Sequence, residues 1–248
     1  MTILVLIRSA IFFLWFATVS TVLSLLYVVL LILPPEAMRR AAWLWCKATI
    51  WGLKVFAGVR YEVRGELPLM PLLAASKHMS MWDTLALYVL LGRPAMVFKR
   101  ELGLIPFYGW FVRKAQMIAI DRDGKASALR KMSNDAKAVL AQHRCVLIFP
   151  EGTRKKPGAT PDYKPGVAGL YGQLGVPCVP IALNSGLFWT GPSGFLKKPG
   201  TILVEFLPLI PPGLKRAEFM ETMQTRIETA TANLIAEGRA ELAARGLS

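Results

Sequence analysis

From Arg60 to the C-terminus, short apolar runs alternate with helical ones, and that alternation confines the chain to an α/β architecture. Strands are expected over 60–64, 72–76, 95–99, 116–121, 145–149, 178–183 and 201–206. Helices are expected over 81–91, 101–112, 125–143, 166–174 and 215–245. Runs such as Cys145-Val146-Leu147-Ile148-Phe149 are apolar at every position, the pattern of strands covered on both faces. The predicted fold is therefore a largely buried mixed sheet of about seven strands flanked by helices. Residues 155–164 and 186–200 read as loops, marked by Gly, Pro and Lys. No internal repeat is present. In sheets of this kind ligands gather beyond the carboxyl ends of the strands, where His78, Lys99, Glu151 and Asn184 all fall.

The N-terminal segment has a different pattern. No charged residue occurs from Ser9 to Pro35, a stretch long enough to cross a hydrocarbon core of ~30 Å. Its apolar run exceeds the ~7–15 residues of a signal-peptide core and no small-x-small cleavage site follows, so a retained anchor over 9–33 is preferred to a cleaved leader. Pro34-Pro35 ends it. A second helix is expected over 36–58, mixing Arg39, Arg40, Lys47 and Lys54 with Trp43, Trp45, Trp51 and Phe56. Side chains with apolar bodies and polar tips suit a membrane interface, and the same pattern also suits an amphipathic helix packed on a domain. These cations follow the anchor, whereas only Arg8 precedes it, which places the main domain on the cytoplasmic face. A hairpin dipping into one leaflet satisfies the pattern as well as a full span. The expected organisation is an anchor over 1–58 and the main domain over 59–248.

The chain is 54% hydrophobic with a formal net charge of +14, a combination that fits an anionic membrane surface. Nucleic acid is the competing partner for so basic a chain and is not expected: there is no zinc spacing, no basic zipper and no RNA-binding aromatic signature, and the basic residues are interleaved with apolar ones. Cys46, Cys145 and Cys178 are scattered, which reads as buried free thiols and not as a metal knuckle or redox pair.

Chemistry concentrates in Lys77-His78-Met79-Ser80-Met81-Trp82-Asp83, at an expected strand-to-helix switch. A histidine ending the strand and an aspartate in the first helical turn can face each other. The carboxylate would fix the imidazole tautomer, leaving the other ring nitrogen to take a proton from a substrate hydroxyl. Taken alone, that spacing also fits a histidine bonded to backbone in a turn. Phe149-Pro150-Glu151-Gly152-Thr153-Arg154 follows another strand. Gly152 permits a sharp turn, Arg154 offers a fork of donors suited to phosphate, and Glu151 can orient that arginine or hold a substrate hydroxyl. Lys99-Arg100 also stand at a strand end, and the apolar stretch after them, through Trp110, is read as core, with the wall of an acyl-chain groove as the alternative.

Together these segments resemble the four blocks of the glycerolipid acyltransferase family, most closely its 1-acyl-glycerol-3-phosphate acyltransferases. The blocks are His78 with Asp83; Lys99-Arg100-Glu101-Leu102 with Ile105-Pro106-Phe107 and Gly109; Glu151-Gly152-Thr153-Arg154; and Val179-Pro180-Ile181-Ala182-Leu183-Asn184-Ser185. They occur in the family's order over residues 72–185. Departures are Tyr108, where phenylalanine is commoner, and Lys155-Lys156 after the third block. The resemblance implies that His78, polarised by Asp83, deprotonates the free hydroxyl of a lysophospholipid, which attacks an acyl-CoA or acyl carrier protein thioester to give phosphatidic acid. It implies that Lys99 and Arg154 bind the acceptor's phosphate, with Glu151, Gly152 and Thr153 shaping that site. Neither a metal nor a cofactor is required. No Gly-x-Ser-x-Gly elbow is present, which agrees with direct transfer and counts against a lipase. The alternatives are the same transfer onto glycerol-3-phosphate or another lysolipid, such as lyso-ornithine lipid, and a non-catalytic membrane lipid-binding protein.

Overall fold

The structure, a computed structural model, describes residues 3–67, 71–121, 125–190 and 194–247. Seven strands form one mixed sheet: β1 (Val59–Arg64), β2 (Leu73–Ser76), β3 (Ala95–Lys99), β4 (Ile118–Ile120), β5 (Val146–Ile148), β6 (Cys178–Leu183) and β7 (Gly200–Phe206), in the order β1-β7-β6-β2-β5-β3-β4. All neighbours pair in parallel except β6 and β7, which are antiparallel. Each predicted strand is present, with ends within two residues of expectation. Residues 191–193 of the expected 186–200 loop lie outside the described residues.

The helices are α1 (Ile3–Tyr27), α2 (Pro35–Gly52), α3 (Met81–Leu90), α4 (Tyr108–Lys114), α5 (Lys125–Leu140), α6 (Gly166–Leu174) and α7 (Arg216–Ala244). The central strands alternate with period two, so β2, β5 and β6 each feed two cores. Ala74, Leu147, Val179 and Ile181 join Trp82, Leu85 and Leu87 of α3 and Cys46 of α2 on one face. Leu73, Ala75, Val146 and Ile148 join Met132 and Ala136 of α5, Leu170 of α6 and Phe219 and Met223 of α7 on the other. Burial on both faces is what the unbroken apolar strands require.

Four elements differ from the sequence expectation. The apolar helix expected over 9–33 reaches back to Ile3, ends as α-helix at Tyr27 and tightens into a 3-10 turn over Val28–Leu31. The helix predicted over 101–112 is divided. A 3-10 turn spans Arg100–Leu104, Ile105 is extended (φ −67°, ψ 124°), and α4 begins only at Tyr108. Pro106 drives this, because the residue before a proline is pushed out of the helical region. The helix predicted over 36–58 stops as α-helix at Gly52 and widens into a π-turn over Leu53–Ala57, closed by Gly58 at φ +70°. Trp15 of α1 lies against the Gly52 backbone so closely that a Cβ there would sit 2.1 Å from its Nε1. His143 lies beyond the end of α5, in a turn with φ +54°.

Among the described residues, Ile3–Leu31 is the one helical stretch long and apolar enough to cross a membrane. Its N-terminal half is packed on the rest of the chain. Val5, Ser9 and Phe12 are buried, Phe12 meets Trp189 edge-on at 5.5 Å, and Ser9 Oγ accepts from the Lys197 N–H at 2.9 Å. Farther along, Phe16 and Ser20 contact Trp45 of α2. The outer face, including Leu4, Ile7, Leu14, Leu25 and Val29, is exposed.

Candidate active site

The turn between β2 and α3 is built by backbone capping. Ser80 is the N-cap of α3: its hydroxyl accepts from Trp82 N–H at 3.2 Å, while Asp83 reaches back to Ser80 N–H at 2.9 Å. This reciprocal box satisfies helix-end donors and locks Asp83 in place. Asp83 Oδ2 also accepts from Met79 N–H at 2.6 Å and pairs with His78 Nδ1 at 2.9 Å. Its other oxygen accepts from the Ser185 hydroxyl, which in turn accepts from Ser80 Oγ at 2.8 Å. Every partner of Asp83 can donate, which suits an ionised carboxylate. Asp83 is fully buried and His78 nearly so, its ring stacked on Phe149 with centroids 4.0 Å apart. With Nδ1 donating to Asp83, Nε2 keeps its lone pair for an incoming hydroxyl proton.

His78 lines a cavity of about 1120 Å³. Its walls are mainly apolar: Leu85, Met96, Phe98, Val112 and Met117 on one side of the sheet, Val97, Ile120, Leu129, Met132 and Val167 on the other. Lys99, Arg154, Lys164 and Arg216 are its cationic lining residues. Lys99, Gly152 and Arg154, taken from the sequence as acceptor ligands, thus share one cavity with His78. Gly152 sits at φ +64°, a conformation that glycine adopts without a steric penalty. Thr153 is exposed and outside the lining. The stretch after Lys99 through Trp110, read as core with a groove wall as the alternative, places Leu102, Ile105 and Tyr108 on the cavity wall.

Glu151 is placed differently from the substrate ligand expected. Its carboxylate is turned inward, 1% exposed, with Oε1 accepting from Lys77 Nζ at 2.8 Å and Oε2 from the His78 N–H at 3.1 Å. Lys77, 2% exposed, also donates to Glu228 of α7 at 2.7 Å, and Glu228 accepts from the Tyr163 hydroxyl at 2.7 Å. Burial pushes the Glu151 carboxyl above its ordinary value, opposed by the Lys77 ammonium. Lys77, Glu228, Tyr163 and Ser185 carried no assigned role in the sequence reading. For Lys77 the available signal was a lysine directly before the candidate base in a segment with no solvent-facing pattern. The three cysteines are buried and free, and burial pushes each thiol upward, which makes them poor nucleophiles.

The acyltransferase family model matches residues 59–184, half of the chain. A 1-acyl-sn-glycerol-3-phosphate acyltransferase of Pseudomonas aeruginosa is 40% identical over 166 residues, covering 66% of this chain and 64% of that protein. The alpha form of the human enzyme is 38% identical over 137 residues, 54% of this chain and 48% of that protein. The match thus spans about half to two thirds of these relatives' length. The crystal structure of PlsC, an acyltransferase of Thermotoga maritima, superposes with a TM-score of 0.74 at 20% identity, covering 92% of this chain and 96% of that one, and so shares the fold. The matched region begins at β1 and ends one residue past β6, so it contains His78, Asp83, Lys99 and residues 151–154. On this evidence the chain belongs to the acyltransferase family.

Proposed function

We propose that the protein transfers an acyl chain from acyl-CoA or acyl carrier protein to the free hydroxyl of 1-acyl-glycerol-3-phosphate, giving phosphatidic acid. The observation that carries this is a buried His78–Asp83 pair opening on one large apolar cavity that also holds Lys99 and Arg154. Such a cavity suits acyl chains, and its cations suit a phosphate. The acceptor is supported by the relatives, several of which are named 1-acyl-sn-glycerol-3-phosphate acyltransferases.

In this reading His78 Nε2 takes the acceptor's hydroxyl proton as its oxygen forms a bond to the thioester carbon. Asp83 holds the imidazole in the required tautomer and stabilises the imidazolium that forms. The C–S bond then breaks, and the thiolate leaves with the proton returned by His78. No acyl-enzyme intervenes. Lys99 and Arg154 fix the phosphate, and Gly152 allows it to approach the backbone. Glu151 and Lys77 act behind the base: the Glu151 carboxylate holds the His78 backbone, and Lys77 ties that carboxylate to α7. Thr153, exposed between Gly152 and Arg154, borders the headgroup.

Residues 1–58 serve as the membrane-anchoring part and 59–248 as the catalytic part. The exposed apolar face of α1 and the cations of α2 support attachment to an anionic membrane from its cytoplasmic side. The test is acyl transfer by the purified chain from oleoyl-CoA to a panel of lysolipids, read by mass spectrometry. Phosphatidic acid as the dominant product is expected. Selective acylation of a phosphate-free acceptor, such as lyso-ornithine lipid, would replace this assignment.

A further inference from the structure

The segment between β3 and α4 carries an unusual surface. Leu102, Leu104, Ile105, Phe107, Tyr108 and Trp110 fall within nine positions, and all are exposed, Leu104 by 77%. An apolar patch this dense on a water-facing surface marks an interaction site. It is also rigidly framed. Gly109 packs on the Gly103 backbone so tightly that a Cβ would lie 2.0 Å from the Gly103 carbonyl oxygen. The Arg113 guanidinium donates to the Gly103 carbonyl at 2.7 Å and to the Gly109 carbonyl at 3.0 Å, stapling the two ends of the loop. The apolar side chains are therefore held outward by construction.

Two further observations say what covers this patch. Leu102, Ile105 and Tyr108 also line the cavity that holds His78, so the patch is the cavity's rim. In addition, α4 packs against the turn Val28–Leu31 that ends the N-terminal apolar stretch, so the rim continues the exposed face formed by Leu25, Leu26 and Val29. Arg100, exposed and paired with Asp121 at 2.7 Å, stands beside it, where anionic headgroups would lie.

We propose that residues 102–110 form a lip that seats in an anionic lipid surface and passes the lysolipid acceptor sideways from the membrane into the cavity. The loading part rests on the function proposed above, whereas the seating part does not. An acceptor that enters this way never exposes its acyl chain to water, whereas an acceptor already in solution bypasses the lip.

Two measurements test it on the full chain. Leu104 does not line the cavity, so Leu104→Asp places a charge on the lip alone. Its rate on lysophosphatidic acid carried in anionic vesicles should fall about tenfold or more, while its rate on a short-chain, water-soluble lysophosphatidic acid stays within about twofold of wild type. Equal loss on both acceptors, or loss on neither, would overturn the loading role, as would a change in oligomeric mass, since the patch would then join two copies of the chain. The second measurement needs no turnover. Because Cys46, Cys145 and Cys178 are buried, Leu104→Cys can be labelled selectively with a polarity-sensitive fluorophore in proteoliposomes. Spin-labelled lipid should quench it strongly, but should spare the same label at Glu221→Cys on α7, which packs on β6, β7 and α6. An unquenched label at position 104 would refute lipid seating whether or not the enzyme accepts lysophosphatidic acid.

Discussion

Glu151→Gln separates a residue that binds substrate from one that holds the base. The amide is isosteric, but it has one oxygen where the carboxylate has two. In the native protein both oxygens accept, from Lys77 Nζ at 2.8 Å and from His78 N–H at 3.1 Å. Either orientation of the glutamine therefore points its NH2 at a donor. Loss of one hydrogen bond to a charged group is worth ~1.5–3 kcal/mol. Lys77 keeps Glu228 at 2.7 Å, so the larger penalty of a stranded buried charge is avoided. A loss of that size in a chain this long lowers the melting temperature by roughly 3–12 °C. The catalytic effect is positional. Release of the His78 backbone lets the imidazole drift from its 2.9 Å contact with Asp83, and a displacement of ~1 Å can cost ~10²-fold in rate. Steady-state kinetics with each substrate varied in turn should therefore show a much reduced kcat with the acceptor KM nearly unchanged. A raised acceptor KM at normal kcat would mean that Glu151 touches the acceptor, and the positioning argument would fail.

Asp83→Asn should lower kcat by ~10²–10⁴-fold with little change in acceptor KM, because an amide cannot stabilise the imidazolium; a pure KM effect would make Asp83 a binding residue. Arg154→Ala should raise the acceptor KM by ~10–100-fold and leave the donor KM close to wild type, the equivalent of ~1.5–3 kcal/mol, with Arg154→Lys recovering only part. Lys197 lies between the Phe12 and Trp189 rings under α1, and burial pulls its ammonium down to about 8. Between about pH 8 and the ordinary lysine value of ~10.4, the unfolded chain binds this proton more than the folded one does, so this contribution to stability rises with pH. Unfolding followed across that window should show a rise in wild type relative to Lys197→Met; parallel curves would show that the group titrates normally.

The centre of the sheet was legible because β5 and β6 are apolar along their length, and the His78–Asp83 pair because both residues lie on one turn. What the sequence concealed was of two kinds. The break at Pro106 was present in the residues, but the apolar run around it favoured a continuous helix and hid the rim of the cavity. The supports of the site were hidden by distance in the chain. Lys77 and Glu228 are 151 residues apart, and Asp83 and Ser185 are 102 apart. No local spacing announces such pairs, since the sheet order alone brings β2, β6 and α7 together. Glu151 shows the limit most clearly. A carboxylate three residues before an arginine whose donors suit a phosphate reads as a substrate ligand until the lysine beneath it is seen.

The central claim is that His78 moves the proton from the acceptor hydroxyl. The most direct measurement is the turnover of purified His78→Ala with acyl-CoA and lysophosphatidic acid, alongside circular dichroism and vesicle binding. His143→Ala serves as a control, because His143 sits in the turn after α5 and outside the cavity lining. The account predicts a loss of ~10²–10⁴-fold for His78→Ala with fold and membrane binding intact, and near-normal turnover for His143→Ala. Turnover of His78→Ala within a few-fold of wild type would contradict it.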